Sequence, residues 1–130
     1  MTRSVGIVLV SHSRELAAGL RSLLLQVAAE GLPVEAAGGT DDGRLGTSYD
    51  LVAAAVKRAD HGSGVVVLPD LGSSVLTARA VLADHPDPNV VLVDTPFVEG
   101  AVAAAVIAAS GADLAAVVAA AEEARHARKF

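Results

Sequence analysis

The chain has 130 residues, with 15 acidic against 10 basic side chains (net charge −5), 52% hydrophobic residues and only 2% aromatic. That balance suits one globular domain, residues 1–130, with a core of aliphatic methyls, and excludes disorder, because the charge is spread rather than blocked. With no tryptophan, one tyrosine, two phenylalanines and a negative surplus, the chain lacks both the stacking platforms and the phosphate-tracking surface of a nucleic-acid binder, so no nucleic acid is expected as partner.

There is no cysteine, so neither a disulfide framework nor a thiolate metal site is possible. The chain opens Met1-Thr2-Arg3-Ser4, and residues 5–10 form an apolar run too short for a leader core. The longest apolar stretch, residues 101–109, falls well short of the roughly 20 residues that span a bilayer. A soluble, cytoplasmic protein that makes no membrane contact is expected.

Residues 5–10 are a continuous aliphatic run, as in a strand buried on both faces of a parallel sheet. From residue 15 to about 30, Leu16, Leu20, Leu23, Leu24 and Val27 recur at helical spacing; Gly31 ends the helix and Pro33 prevents its resumption. Residues 34–37 read as a short second strand closed by Gly38-Gly39. The polar, glycine-rich segment 38–47 is a loop, after which Thr47 or Ser48 caps a helix running to about residue 59, with Leu51, Val52, Ala55 and Val56 inward. Val65-Val66-Val67-Leu68 is a third buried strand stopped by Pro69-Asp70, and Gly72-Ser73-Ser74 opens a helix to about residue 84. Residues 89–94 give a fourth strand. Two helices follow, about 98–109 and 113–126, with Asp113 as cap and Arg125, Arg128 and Lys129 near the end, where cations favour a helix C-terminus.

Strand followed by helix four times, with right-handed crossovers, gives an α/β fold: an open, doubly wound sheet of four parallel strands with helices on both faces and two C-terminal helices. With strand order 2-1-3-4, strands 1 and 3 are neighbours where the order reverses, and the loops after them flank one cleft. That cleft would contain His12 and Asp70. A carboxylate accepting the Nδ1 proton of His12 would fix the imidazole tautomer and leave Nε2 as a free nucleophile. Asp70 has a plainer alternative role as cap for the helix starting near Gly72. Asp70-Leu71-Gly72-Ser73-Ser74 brings backbone N–H groups and two hydroxyls to a helix start, which is an anion site. Gly46-Thr47-Ser48 is a second candidate, although capping alone explains it. His61, His85 and His126 read as solvated surface residues. No histidine–carboxylate spacing suggests a metal site, and no GxxxxGK[ST] or GxGxxG loop suggests a nucleotide site. What remains, a nucleophilic imidazole, an orienting carboxylate and a hydroxyl-lined anion pocket, suits a carrier that accepts a phosphoryl group from one protein and gives it to another.

Ile7-Val8-Leu9-Val10-Ser11-His12-Ser13, Gly46-Thr47-Ser48, Val67-Leu68-Pro69-Asp70-Leu71-Gly72-Ser73, Pro96-Phe97-Val98-Glu99-Gly100 and Ala109-Ser110-Gly111-Ala112-Asp113 together resemble the phosphoryl-carrier subunit of bacterial dihydroxyacetone kinases, within the mannose-type enzyme IIA family of the phosphoenolpyruvate-dependent phosphotransferase system. The resemblance implies that His12 is phosphorylated at Nε2 by the carrier protein HPr and that Asp70 orients it. Phosphate contacts would come from Ser11, Thr47, Gly72, Ser73 and Ser74. The phosphoryl group would pass to ADP held in a nucleotide-binding partner subunit, so this chain needs no cofactor of its own, with ADP/ATP and Mg expected in that partner. It further implies a homodimer, and a chain that ends before the HPr-like and enzyme I-like domains some relatives carry.

Two neighbouring readings stay open. Sugar-transporting IIA proteins usually have a longer Asp-Leu-Phe-Gly-Gly-Ser-Pro loop, against the short Asp70-Leu71-Gly72-Ser73 here. A receiver-like module using Asp70 as a phosphoaspartate would need an acidic pair after strand one, where this chain has Ser11-His12-Ser13. A binding module that keeps the pocket without accepting phosphate is a third class, against which an intact His12 and Asp70 argue.

Overall fold

The computed structural model describes residues 3–130; Met1 and Thr2, part of the leader reading, lie outside the described residues. In chain order the elements are β1 (Gly6–Ser11), α1 (Arg14–Val27), β2 (Val34–Gly38), α2 (Tyr49–Ala59), β3 (Val65–Pro69), α3 (Gly72–Asp84), β4 (Val90–Leu92), α4 (Phe97–Ala109) and α5 (Leu114–Glu123), with a 3-10 turn at Ala124–His126. The four strands form one parallel sheet in the order β2-β1-β3-β4, as expected. Among the described residues no helix is long and apolar enough to cross a membrane.

The uninterrupted apolar runs of β1 and β3 follow from burial on both faces. Ile7, Leu9, Val66 and Leu68 point into a core made with α1, α4 and α5. Val8, Val10, Val65 and Val67 point the other way, against α2 and α3. Since the helices contribute mostly alanine and valine to both layers, they sit close to the sheet. The approach is tightest at Gly6, where a Cβ would collide with the Ala59 carbonyl oxygen at the end of α2.

The structure corrects several expected boundaries. α1 ends at Val27, three residues before the expected stop, because the chain must turn early enough to bring the Pro33 carbonyl into the ladder, where it accepts from Ile7 N–H at 2.9 Å. Its buried stripe is Ala17, Leu20 and Leu24, whereas Leu16, Leu23 and Val27 flank that stripe and stay 42–53% exposed. On α2, Leu51 is likewise exposed, and Val52, Ala55 and Ala59 form the inner face. β4 is an edge strand paired over three residues only, with Val65, Val66 and Val67. α5 tightens into the 3-10 turn after Glu123 instead of continuing as one helix to residue 126.

Gly6→Ala is expected to destabilise the fold by about 1–3 kcal/mol, since the colliding atom is backbone and one of the two elements must move. The midpoint of urea unfolding measures it, and an unchanged midpoint would mean that β1 and α2 are not in such close contact.

Candidate functional site

β1 and β3 pair through Val10 and Pro69, so their carboxyl ends emerge side by side at the point where strand order reverses. The ladder runs one residue further, with Asp70 N–H donating to Val10 O at 3.0 Å. That contact sets the Asp70 side chain beside the start of the β1–α1 connection. There Ser13 acts as N-cap, its hydroxyl accepting from Leu16 N–H at 3.1 Å, and the two residues before it, Ser11 and His12, are turned toward β3.

Donors from both loops converge on the Asp70 carboxylate. Oδ2 accepts from the Ser11 hydroxyl at 2.8 Å and from the His12 backbone N–H at 3.2 Å. Oδ1 accepts from His12 Nδ1 at 2.9 Å, from the Ser74 hydroxyl at 2.6 Å and from Leu71 N–H at 2.7 Å. Burial by itself pushes the Asp70 pKa up, but the hydrogen bonds from Ser74, Ser11 and His12 outweigh it and bring the value down from 3.8 to about 2. The group is therefore an anion at neutral pH. An anion can only accept, so Nδ1 carries a proton, and in the neutral imidazole Nε2 then holds the lone pair. The Ser73 hydroxyl, on the first turn of α3, donates to that nitrogen.

Around this pair the expected site residues divide by what they touch. Ser11 and Ser74 are fully buried and both donate to Asp70. Ser73 is exposed and reaches Nε2. Gly72 is open, with nothing within 4 Å of where its Cβ would be. No side chain caps α3: Ser74 N–H donates to Leu71 O at 3.0 Å, and among the described residues the Gly72 and Ser73 amides have no hydrogen-bond partner. Leu71 holds the N-cap position, and Asp70 precedes it, which leaves the plainer capping role unfilled. Thr47 does not stand alone: its Oγ1 lies 2.6 Å from Thr77 Oγ1 on α3. Ser48 is the N-cap of α2, accepting from Leu51 N–H at 3.2 Å and donating to Asp41. Thr77 escaped the sequence reading; its only signal was a hydroxyl one helical turn after Ser73. His61, in the loop before β3, His85, the C-cap at the far end of α3, and His126, in the 3-10 turn, are all exposed.

His12 is about one-quarter exposed and Asp70 8% exposed, so solvent reaches the imidazole edge but hardly the carboxylate. Because the folded Asp70 pKa of about 2 lies below its ordinary value, its contribution to stability is complete above pH 4 and disappears as pH falls toward 2. The amount is on the order of 2 kcal/mol. Urea unfolding followed between pH 5 and 2 should show the wild type losing that much more stability than Asp70→Asn. Parallel curves would refute the depressed pKa.

Residues 6–118 match the family model EIIA-man, described as the PTS system fructose IIA component. The chain is 33% identical over 105 residues to the phosphoryl donor subunit DhaM of PEP-dependent dihydroxyacetone kinase 1 from Listeria innocua, covering 81% of this chain and 82% of that one. It is 34% identical over 112 residues to the phosphotransferase subunit DhaM of the PTS-dependent dihydroxyacetone kinase from Lactococcus lactis, covering 86% and 89%. The crystal structure of the unknown-function protein EF1359 superposes with a TM-score of 0.82 at 30% identity, over 98% of each chain. With the family model spanning both strand ends that carry His12 and Asp70, the chain belongs to the EIIA-man family of phosphotransferase-system components.

Proposed function

We propose that this chain is the phosphoryl-carrier subunit of a phosphoenolpyruvate-dependent dihydroxyacetone kinase, receiving phosphate from HPr on His12 Nε2 and handing it to ADP in a nucleotide-binding partner subunit. One observation carries the reading: Asp70 engages Nδ1, so that Nε2 faces the uncapped first turn of α3, where its partner is the Ser73 hydroxyl. The names of the Listeria and Lactococcus relatives, matched over four-fifths or more of their length, supply the substrate system. We extend the same reading to a single domain over residues 1–130, a cytoplasmic location and no cofactor in this chain, with nucleotide and Mg in the partner.

The chemistry follows from charge. The Nε2 lone pair attacks the phosphorus of the incoming phosphohistidine; the donor's N–P bond breaks and its electron pair returns to the donor ring. His12 keeps its Nδ1 proton and becomes cationic as the new N–P bond forms, and the Asp70 anion 2.9 Å away opposes that charge. Ser73 must turn off Nε2 for this to happen. Its hydroxyl and the free amides at the positive end of α3 are then available to the phosphoryl oxygens. Attack by a β-phosphate oxygen of ADP reverses the process, yielding ATP and restoring the neutral ring. Ser11 and Ser74 serve this by holding the carboxylate. A receiver-like use of Asp70 is poorly supported, because both of its oxygens are occupied and the side chain is almost fully buried.

Incubation with enzyme I, HPr and labelled phosphoenolpyruvate should label the wild type with an alkali-stable, acid-labile phosphate and leave His12→Gln unlabelled. Asp70→Ala should still fold and be labelled at least 10-fold more slowly. A hydroxylamine-sensitive label surviving in His12→Gln would sink the proposal.

We also propose that the subunit works as a homodimer. Support comes from α4, which has one charged residue, Glu99, and is apolar on every side although Val98 and Val106 are 43% and 47% exposed; a helix without a polar face is normally covered all round. Val106→Glu should shift sedimentation toward the monomer without lowering the unfolding midpoint of a dilute sample, and an unshifted dimer would rule this face out.

A further inference from the structure

Thr77 has no part in the chemistry above, yet it closes a ring of contacts around His12. The loop before α2 holds the histidine backbone, because Gly46 N–H donates to His12 O at 3.0 Å. Gly46 does so at φ +135°, a conformation that side chains rarely allow, and a Cβ there would approach Thr40 Cγ2 to 2.9 Å. The next residue, Thr47, meets Thr77 Oγ1 at 2.6 Å. Thr77 lies four residues after Ser73 on α3, hence on the same side of the helix, and Ser73 reaches His12 Nε2. The imidazole is thus held from its backbone through the loop and from its ring through α3. The threonine pair joins the two holds. Both threonines are half-buried, and among the described residues neither hydroxyl has another partner.

We propose that Thr77 is a positioning residue for phosphoryl transfer, fixing the 46–47 loop against α3 through Thr47 so that His12 and the first turn of α3 keep one separation throughout the reaction. The inference rests on the carrier reading above. Its physical basis is that the direct contacts to the His12 ring are made with atoms that change during transfer. The Ser73 contact must break when Nε2 takes a phosphoryl group, and the Asp70 and Ser74 contacts at Nδ1, at 2.9 and 3.2 Å, face a ring whose charge rises. The threonine contact involves no reacting atom and carries no charge, so transfer leaves it unchanged. Small displacements in transfer geometry cost large factors in rate, up to roughly 100-fold for about 1 Å.

The test uses the full chain phosphorylated from labelled phosphoenolpyruvate by enzyme I and HPr, with HPr concentration varied, together with amide hydrogen exchange at Gly46. Thr77→Val should lower the maximal rate roughly 10-fold with the half-saturating HPr concentration unchanged, and speed exchange of the Gly46 amide. Thr77→Ser should restore both. Thr47→Val should match Thr77→Val, and the double variant should be no slower than either single one, because both remove the same contact. If the wild type is labelled and Thr77→Val reaches the wild-type maximal rate, the role of Thr77 is overturned and the carrier reading stands. If enzyme I and HPr that label a control carrier leave the wild type unlabelled, both fall. A slower Thr77→Val that Thr77→Ser does not restore, with a lowered unfolding midpoint, overturns positioning in favour of a purely structural contact.

Discussion

A carboxylate that is nearly excluded from water must be surrounded by donors or lose its charge, and the arrangement of this molecule around Asp70 meets that demand. The donors come from two places far apart in the chain: Ser11 and His12 at the end of β1, and Leu71 and Ser74 at the start of α3. Parallel pairing of β1 with β3 is what makes the two meet, because it sends both strands' carboxyl ends out in the same direction. With the carboxylate held as an anion, the tautomer of His12 follows, and with the tautomer the direction in which the imidazole offers its lone pair.

The same arrangement separates two tasks that a single polar pocket would confuse. Hydroxyls that are buried, those of Ser11 and Ser74, serve the carboxylate, whereas the exposed Ser73 lies at the nitrogen where a group can arrive. Buried donors make the Asp70 charge persistent, and the open edge of His12 keeps its other nitrogen accessible. The uncapped start of α3 belongs to the same division: an interior cap would occupy the amides that an anion needs.

Small side chains make this compactness possible. The two layers of helices pack on the sheet largely through alanine and valine, and at Gly6 the backbone of β1 lies directly against the end of α2. Close helices bring the loop before α2 within hydroxyl distance of α3 at Thr47 and Thr77, and Tyr49 at the start of α2 meets Asp84 at the end of α3 at 2.7 Å. A core of larger aromatic residues would hold these helices farther from the sheet and from each other.

The residue pattern by itself determined the doubly wound class, because runs such as Val65-Val66-Val67-Leu68 read as strands buried on both faces of a parallel sheet. The order 2-1-3-4 entered as a condition, and it was the parallel pairing of β1 with β3 in the tertiary structure that fixed it and brought His12 to Asp70. Helical periodicity marked α1 but not which of its leucines turn inward, since Leu16 and Leu23 share the stripe's spacing and differ from Leu20 and Leu24 only in phase relative to a sheet that three helices share. Likewise, a motif can bring four hydroxyls to one place without saying what each one touches. Ser11 and Ser74 were directed to the carboxylate, Ser73 to the imidazole and Thr47 to Thr77 by the tertiary structure alone, because a hydroxyl's partner depends on which neighbours lie within about 3 Å, and here those neighbours are some 30 to 60 residues distant for all but the Ser74 contact.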